Sequence, residues 1–262
     1  MPSLPLRAAI LSVVLLVVLL GAWELATQVP AGAGPGARVP GPSKLFAHAV
    51  QELSDPFYDA GPNDKGIGIQ LAYSIARVLA GYLLAALVAI PFGFVIGMSP
   101  MWQRALDPYI QVLKPISPLA WMPLALYVIK DSATSSIFVI FICSIWPMLI
   151  NTAFGVAAVR RDYINVARTH ELSRVATALQ VILPAAAPTI LTGMRISIGI
   201  SWLVIVAAEM LVGGTGIGYY VWNEWNNLNL ASVIFSILMI GVIGMLLDLM
   251  LARAQRLVQY VD

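Results

Sequence analysis

The sequence predicts an all-α, polytopic membrane domain that crosses the bilayer six times, and three observations carry that reading. Of 262 residues, 60% are hydrophobic and only 11% are charged, with a mean hydropathy of +0.85, which is foreign to a soluble domain of this length. Six apolar runs stand out when the chain is scanned for the roughly 20 residues that a spanning helix needs. Lys and Arg are unevenly shared between the loops on the two sides.

The first run, 8–28, follows Arg7 as a signal peptide would, but its core is long and Trp23-Glu24 is no small-residue cleavage site, so residues 1–29 read as an uncleaved anchor helix. Residues 30–66 form an outer, periplasmic segment. Its start, 30–42, is rich in Gly and Pro. A helix over 44–54 follows, with Leu45, Phe46, Val50 and Leu53 as one apolar face lying near the membrane surface. Asp55-Pro56-Phe57-Tyr58 and Gly61-Pro62-Asn63-Asp64-Lys65-Gly66 are dense in turn formers, and an ordered and a flexible loop both fit them. The core, 67–262, holds the runs 71–98, 116–129, 135–156, 188–212 and 230–251. Pro115, Pro118 and Pro123 interrupt the third span, so a kinked or tilted segment is its alternative form.

With the amino terminus inside, Arg7, Arg104, Arg160, Arg161, Arg168, Arg174, Arg253 and Arg256 are cytoplasmic, whereas Arg38, Lys44, Lys65 and Lys130 lie outside. Eight cations against four place both termini in the cytoplasm. Tyr219, Tyr220, Trp222 and Trp225 suit an aromatic belt at the outer interface. Lone Cys143 sits in an apolar run as a small hydrophobe. No internal repeat is visible, and the net charge of +2 follows from the loop bias, giving no footprint for nucleic acid.

The polar loop 159–184 separates two apolar runs. It reads as two short helices, capped by Asp162 and Ser173, before Pro184 leads into the next span. Such a loop presents a helix to a cytosolic partner; an ordinary basic loop obeying the positive-inside rule is the plainer alternative. Its Asn165-Val166-Ala167, Glu171 and terminal Val181-Ile182-Leu183-Pro184 resemble the coupling loop of ABC importer permeases, whose pattern has Glu-Ala-Ala, three intervening residues, Gly, and further on an apolar-x-Leu-Pro ending. Asn165 and Val166 stand in place of Glu and the first Ala, Ala167 agrees, and Glu171 stands in place of the Gly.

The resemblance spreads across most of the chain after residue 40. It is closest to the nitrate branch of the nitrate, bicarbonate and taurine permeases, through Asp55-Pro-Phe-Tyr-Asp59, Gly61 to Gly66, Pro115-Ile-Ser-Pro-Leu-Ala-Trp-Met-Pro123, the block from Phe141 to Thr152, and Val206-Ala-Ala-Glu-Met210. It implies a single permease domain over 1–262 with the type I importer fold, in the inner membrane of a bacterial cell. It also implies a second permease copy, two cytoplasmic ABC ATPase subunits that bind ATP and Mg, and a periplasmic or lipid-anchored substrate-binding protein. Nitrate, with nitrite, is the implied cargo, and bicarbonate, cyanate or taurine the alternatives. In that family Asp162, Asn165, Val166, Ala167, Arg168, His170, Glu171, Ser173, Leu183 and Pro184 would couple to the ATPase. Pro184 and Pro188 would stiffen the junction into the fifth span.

The chain has no Gly-Lys-Ser or Gly-Lys-Thr phosphate loop, so a partner must hold the nucleotide and no cofactor or metal is expected here. An anion crossing hydrocarbon needs hydroxyls, amides or a restrained positive charge along its path. Ser117, Ser144, Asn151, Thr152, Ser197, Ser201 and Glu209 are the polar candidates in or near spans, with interhelical or local backbone hydrogen bonding as the competing role for the Ser, Thr and Asn residues. Arg77, Lys114 and Arg195 are the cations that would attract an anion. Lys114 and Arg195 sit near inner span ends, where snorkelling competes; Arg77 either pairs with an acid or reaches the outer interface. Glu209 repels anions and is expected to be structural, and Asp248 to snorkel or pair. His48 and His170 lie in separate segments without His-Glu-x-x-His, which argues against an intramembrane metalloenzyme. A stand-alone secondary transporter would need no ATPase, and the missing repeat counts against it.

Overall fold

The computed structural model describes residues 4–28 and 39–258. Most of the Gly/Pro stretch 30–42, Arg38 and the extreme termini lie outside them. The elements are α1 (Leu4–Gln28), α2 (Pro42–Ser54), the hairpin β1 (Asp59–Gly61) and β2 (Asp64–Lys65), α3 (Ile67–Gly97), α4 (Pro100–Leu113), α5 (Pro118–Ile129), α6 (Ser132–Ala157), α7 (Arg161–Thr169), α8 (Arg174–Thr177), a π-helical turn at Ala178–Ile182, α9 (Leu183–Val212), α10 (Ile217–Asn226) and α11 (Leu230–Val258). Among the described residues five helices are long and apolar enough to cross a membrane, and six counting α4 and α5, bent by 90°, as one span.

The long helices α3, α6 and α9 form the core, with α11 and α10 against α9 and α5 against α6. Without a hydrophobic drive between helices in lipid, close backbone approach through small residues holds such a bundle together. Gly81, Ala85, Ala89, Gly93 and Gly97 lie four apart along α3, and a side-chain carbon at Gly93 or Gly97 would come within 2.7 or 2.5 Å of a carbonyl of α6. On the other side of α6, one added at Gly193 of α9 would sit 2.9 Å from Pro147 O. Tyr82 Oη donates to Met194 O at 3.2 Å, and Trp202 Nε1 donates to Ile240 O at 2.9 Å, tying α3 and α11 to α9.

The third run, 116–129, is one helix, α5 from Pro118 to Ile129, with Pro123 inside it; α4, unforeseen in the sequence and with none of its residues buried, precedes it across the break between Leu113 and Pro118, at a bend of 90°. Pro starts a helix readily and disfavours helical backbone in its predecessor, which fits the break before Pro118. On α2, Leu45 is buried and Phe46, Val50 and Leu53 are exposed. Toward the bundle the helix also makes polar contacts: His48 Nε2 meets Ser232 Oγ at 2.9 Å and Glu52 accepts from Tyr220 Oη at 3.3 Å. Finally, the fifth span begins at Leu183 rather than residue 188, because helical backbone continues through the π turn from Arg174. The stretch 55–66 is ordered, as the hairpin.

α1 has no buried position among residues 6–27, and its carboxyl end meets α2 through Glu24, which accepts from Ser43 N and Oγ at 3.1 and 2.9 Å. A carboxylate there faces the amino end of α2, the favourable end of the helix dipole.

Candidate transport and coupling sites

Helix α7 ends in a complete Schellman turn: Leu172 N donates to Ala167 O at 3.1 Å and Glu171 N to Arg168 O at 3.0 Å. The position requires a left-handed residue, and Glu171 takes it with φ of 52°. The tight turn is thus kept without the glycine that the family pattern carries. Ser173 caps α8 by accepting from Ala176 N at 3.2 Å, as expected. Asp162 does not cap α7; Arg160 holds the cap position, and Asp162, one residue into the helix, pairs with Arg160 at 2.9 Å.

Seen from the sequence Ala167 belonged to the partner-facing surface, but it is 2% exposed and turned into its own bundle. A helix laid on a bundle must bury one stripe, and the smallest residue of α7 fills it. Tyr163, Asn165, Val166, Arg168, His170, Glu171 and Ser173 are exposed, as is Pro184 in the first turn of α9, while Leu183 is half-buried. Beside α7 runs a groove of about 820 Å3 lined by Tyr163, Val166 and His170 on one side and Gly155, Pro184 and Pro188 on the other.

At the opposite end of the bundle Glu209 anchors a buried polar node. Arg77 Nη1 donates to Glu209 Oε1 at 2.8 Å and to Thr215 O at 2.5 Å. Ser74 Oγ lies 2.7 Å from Glu209 Oε2 and accepts from Ile217 N at 2.8 Å. Gly218 N donates to Glu209 Oε2 at 3.0 Å, and Gly216 N to Gln70 Oε1 at 2.6 Å. The carboxylate therefore sits at the amino end of α10 and joins it to α3 and α9. Gly216 has φ of 155°, and a side-chain carbon there would fall 2.2 Å from Glu209 Cδ. The sequence reading offered Arg77 a partner acid and Glu209 a structural pairing, and the two meet each other. Gln70, Ser74, Gly216 and Gly218 were missed; Gln70 and Ser74 share the helical face of Arg77, a spacing that would have found them.

The hydroxyl candidates gather at the seam of α6 and α9. Ser144 and Ser201 hydroxyls are 2.6 Å apart, Ser197 Oγ donates to Ser144 O at 2.8 Å, and Thr152 Oγ1 donates to Met148 O at 2.7 Å; all four are buried. Asn151 donates to Pro147 O at 2.8 Å and is half-buried. The serines thus bond α6 to α9, whereas Thr152 and Asn151 each bond a carbonyl four residues back in α6 itself. Ser117 and Lys114 are exposed at the break before α5. Arg195 does not snorkel away from the bundle: it closes a bidentate pair with Asp248 of α11, both contacts at 2.6 Å.

Outside the spans, Asp131 caps α6, and the Thr134 hydroxyl and amide hold its carboxyl below the usual carboxylate range. In the β1–β2 hairpin Lys65 does the same for Asp59. Burial, and then the hydrogen bond to Asp64, push the Tyr58 hydroxyl up to about 12. Among the described residues no group of three or more His, Cys, Asp and Glu is placed to hold a metal ion.

Residues 89–260 match the family described as the binding-protein-dependent transport system inner membrane component. The chain is 43% identical to the nitrate import permease protein NrtB of Synechocystis sp., over 97% of this chain and 89% of that protein. It is 44% identical to NrtB of Leptolyngbya laminosa, over 93% and 85%, and 42% identical to the bicarbonate transport system permease protein CmpB of Synechocystis sp., over 84% and 80%. The inward-facing methionine ABC transporter MetNI contains a chain of the same fold, with a TM-score of 0.63 at 13% identity, covering 83% of this chain and 97% of that one. An amino acid ABC transporter structure gives 0.61 at 13% identity, covering 82% and 97%. A bundle of five or six apolar spans with a polar loop helix seated across it, and relatives that are permeases and not ATPases, make this chain a member of the inner-membrane permease family of binding-protein-dependent ABC importers.

Proposed function

We propose that this permease carries nitrate, and nitrite with it, in an ATP-driven importer working by alternating access. The identity of 43–44% with two nitrate import permeases over nearly the whole chain is the observation that carries the reading. Bicarbonate is the second reading, supported by the 42% match to CmpB. In the assembled importer two copies of this chain pair, two cytoplasmic ATPase subunits hold ATP and Mg, and a periplasmic or lipid-anchored binding protein delivers the anion. Both termini are cytoplasmic, as the loop cations favour.

The exposed face of α7, with Tyr163, Val166, Arg168 and His170, is what the ATPase grips. Ala167 serves that coupling from behind, by seating α7 on the bundle. Because α8, the π turn and α9 are continuous helical backbone, a displacement of α7 reaches the fifth span through an unbroken lever, with Leu183, Pro184 and Pro188 at its start. Asp162, Asn165, Glu171 and Ser173 shape the loop's outline. Of the polar candidates, Ser117, Asn151 and Lys114 retain a surface that an anion can reach, whereas Ser144, Ser197 and Ser201 serve the path by holding α6 and α9 together, Thr152 by packing beside Gly93 of α3, and Arg77 and Glu209 by locking its outer end.

The test is uptake of labelled nitrate into proteoliposomes holding the permease with its ATPase and binding protein, with nitrite, bicarbonate, cyanate and taurine as competitors. ATP-dependent nitrate accumulation blocked by nitrite alone is expected. Accumulation of bicarbonate in its place would overturn the nitrate reading in favour of the second.

A further inference from the structure

Arg195 on α9 and Asp248 on α11 meet as a fork, Nε to Oδ1 and Nη2 to Oδ2, both at 2.6 Å. Arg195 stands 12 residues after the first residue of α9 and Asp248 10 before the last of α11, yet their side chains stay 41% and 45% exposed. Charged side chains in or bordering a span face a bundle interior, a water-filled cavity or the membrane interface rather than lipid tails. On one side of the fork the seam stays polar, with Gln255 Nε2 donating to Thr192 Oγ1 at 3.0 Å. On the other it continues as an open groove of about 420 Å3 with an apolar lining that includes Ile198, Trp202, Val206 and Ile240, and a side chain added at Gly199 or Gly241 there would meet nothing within 4 Å.

A guanidinium presents parallel N–H donors that match two coplanar oxygens. Nitrate and bicarbonate offer the same pair of oxygens as a carboxylate, so the geometry that accepts Asp248 accepts them. We propose that Arg195 is an oxyanion-binding residue of the translocation path, and that Asp248 occupies its fork in this conformation until a planar oxyanion in transit displaces it. The inference rests on the reading of the chain as an oxyanion permease. Asp248 compensates the cation while the path is empty, and its release when the anion arrives makes occupancy an exchange, so the anion is not trapped on a bare positive charge.

The test uses the permease–ATPase complex in lipid nanodiscs, followed by infrared difference spectroscopy on adding nitrate. The wild type should lose the fork-bonded carboxylate stretch as a split nitrate band appears. Asp248→Asn should abolish the carboxylate signal and lower the nitrate concentration for half-maximal band intensity at least threefold. Arg195→Lys, which keeps the charge but not the fork, should abolish the split band and cut maximal uptake at saturating binding protein at least tenfold per assembled complex. A pair that merely fastens α9 to α11 would give no nitrate-dependent signal in the wild type, and that result overturns the proposal. So does Arg195→Lys uptake at the wild-type rate, which leaves the importer reading standing. Wild-type complex that shows no ATP-dependent uptake of nitrate or bicarbonate would instead remove the importer reading itself.

Discussion

Replacing Glu209 with alanine strikes the node that joins α3, α9 and α10. The substitution deletes the acceptor for Arg77 Nη1, Ser74 Oγ and Gly218 N and leaves a cation only 14% exposed. Three ordinary hydrogen bonds at the roughly 0.6 kcal/mol average of membrane bundles would sum to about 2 kcal/mol. A stranded charge is the larger effect, since breaking a buried pair from one side costs about 3–5 kcal/mol. The expected loss is therefore about 3–5 kcal/mol, and Glu209→Gln, which keeps acceptors for Ser74 and Gly218, should lose less. The double variant Arg77→Met/Glu209→Met removes both charges and should be less destabilised than Arg77 left alone by Glu209→Ala. Equilibrium unfolding of the purified permease by steric trapping in bicelles measures all three. A loss below about 2 kcal/mol in Glu209→Ala, or a double variant worse than the single, would refute the charge argument.

Glu171→Gly should stabilise the loop by about 1 kcal/mol, since glycine adopts the left-handed turn without the penalty of a side chain; a lowered melting temperature would contradict the Schellman assignment. Gly97→Val should destabilise the bundle by at least about 1–3 kcal/mol, because a side chain there runs into the Ala153 carbonyl at 2.5 Å, and an unchanged melting temperature would show that α3 and α6 can part freely. Val166→Asp, on the exposed face of α7, should cut uptake at least tenfold while the permease stays folded, whereas Ala167→Asp should lower the melting temperature by burying a charge; equal melting temperatures would invalidate the assigned faces. Because the folded Asp131 carboxyl titrates below its ordinary range, its cap on α6 is present above about pH 4 and is lost as pH falls through the lowered value. Asp131→Ala should flatten that acid limb of the pH–stability profile, and an unaltered limb would exclude the cap as its source.

Much of the fold could be read in one dimension because a lipid-crossing helix must be apolar along most of its length, a property that needs no knowledge of neighbours. The spans at 71–98, 135–156 and 230–251 were found that way, and the Ser173 cap from the preference of Ser for a helix start. Hydropathy failed where local chemistry overrode it. α4, amphipathic and unburied, carried no spanning signal to detect, so its 90° bend against α5 was not foreseen.

Sites were legible as residue types but not as partners. The sequence by itself determined a helical permease with a polar loop, which cations sit in or beside spans, and where a turn must follow α7. Only the tertiary structure decided that Arg77 closes on Glu209 and Arg195 on Asp248, that Ala167 faces inward, and that the serines of α6 and α9 meet each other. The physical reason is that helical periodicity and hydropathy are properties of a segment. The pairing of a charge or hydroxyl depends instead on the rotation and height of one helix against another, and those are set by where small residues let two backbones approach.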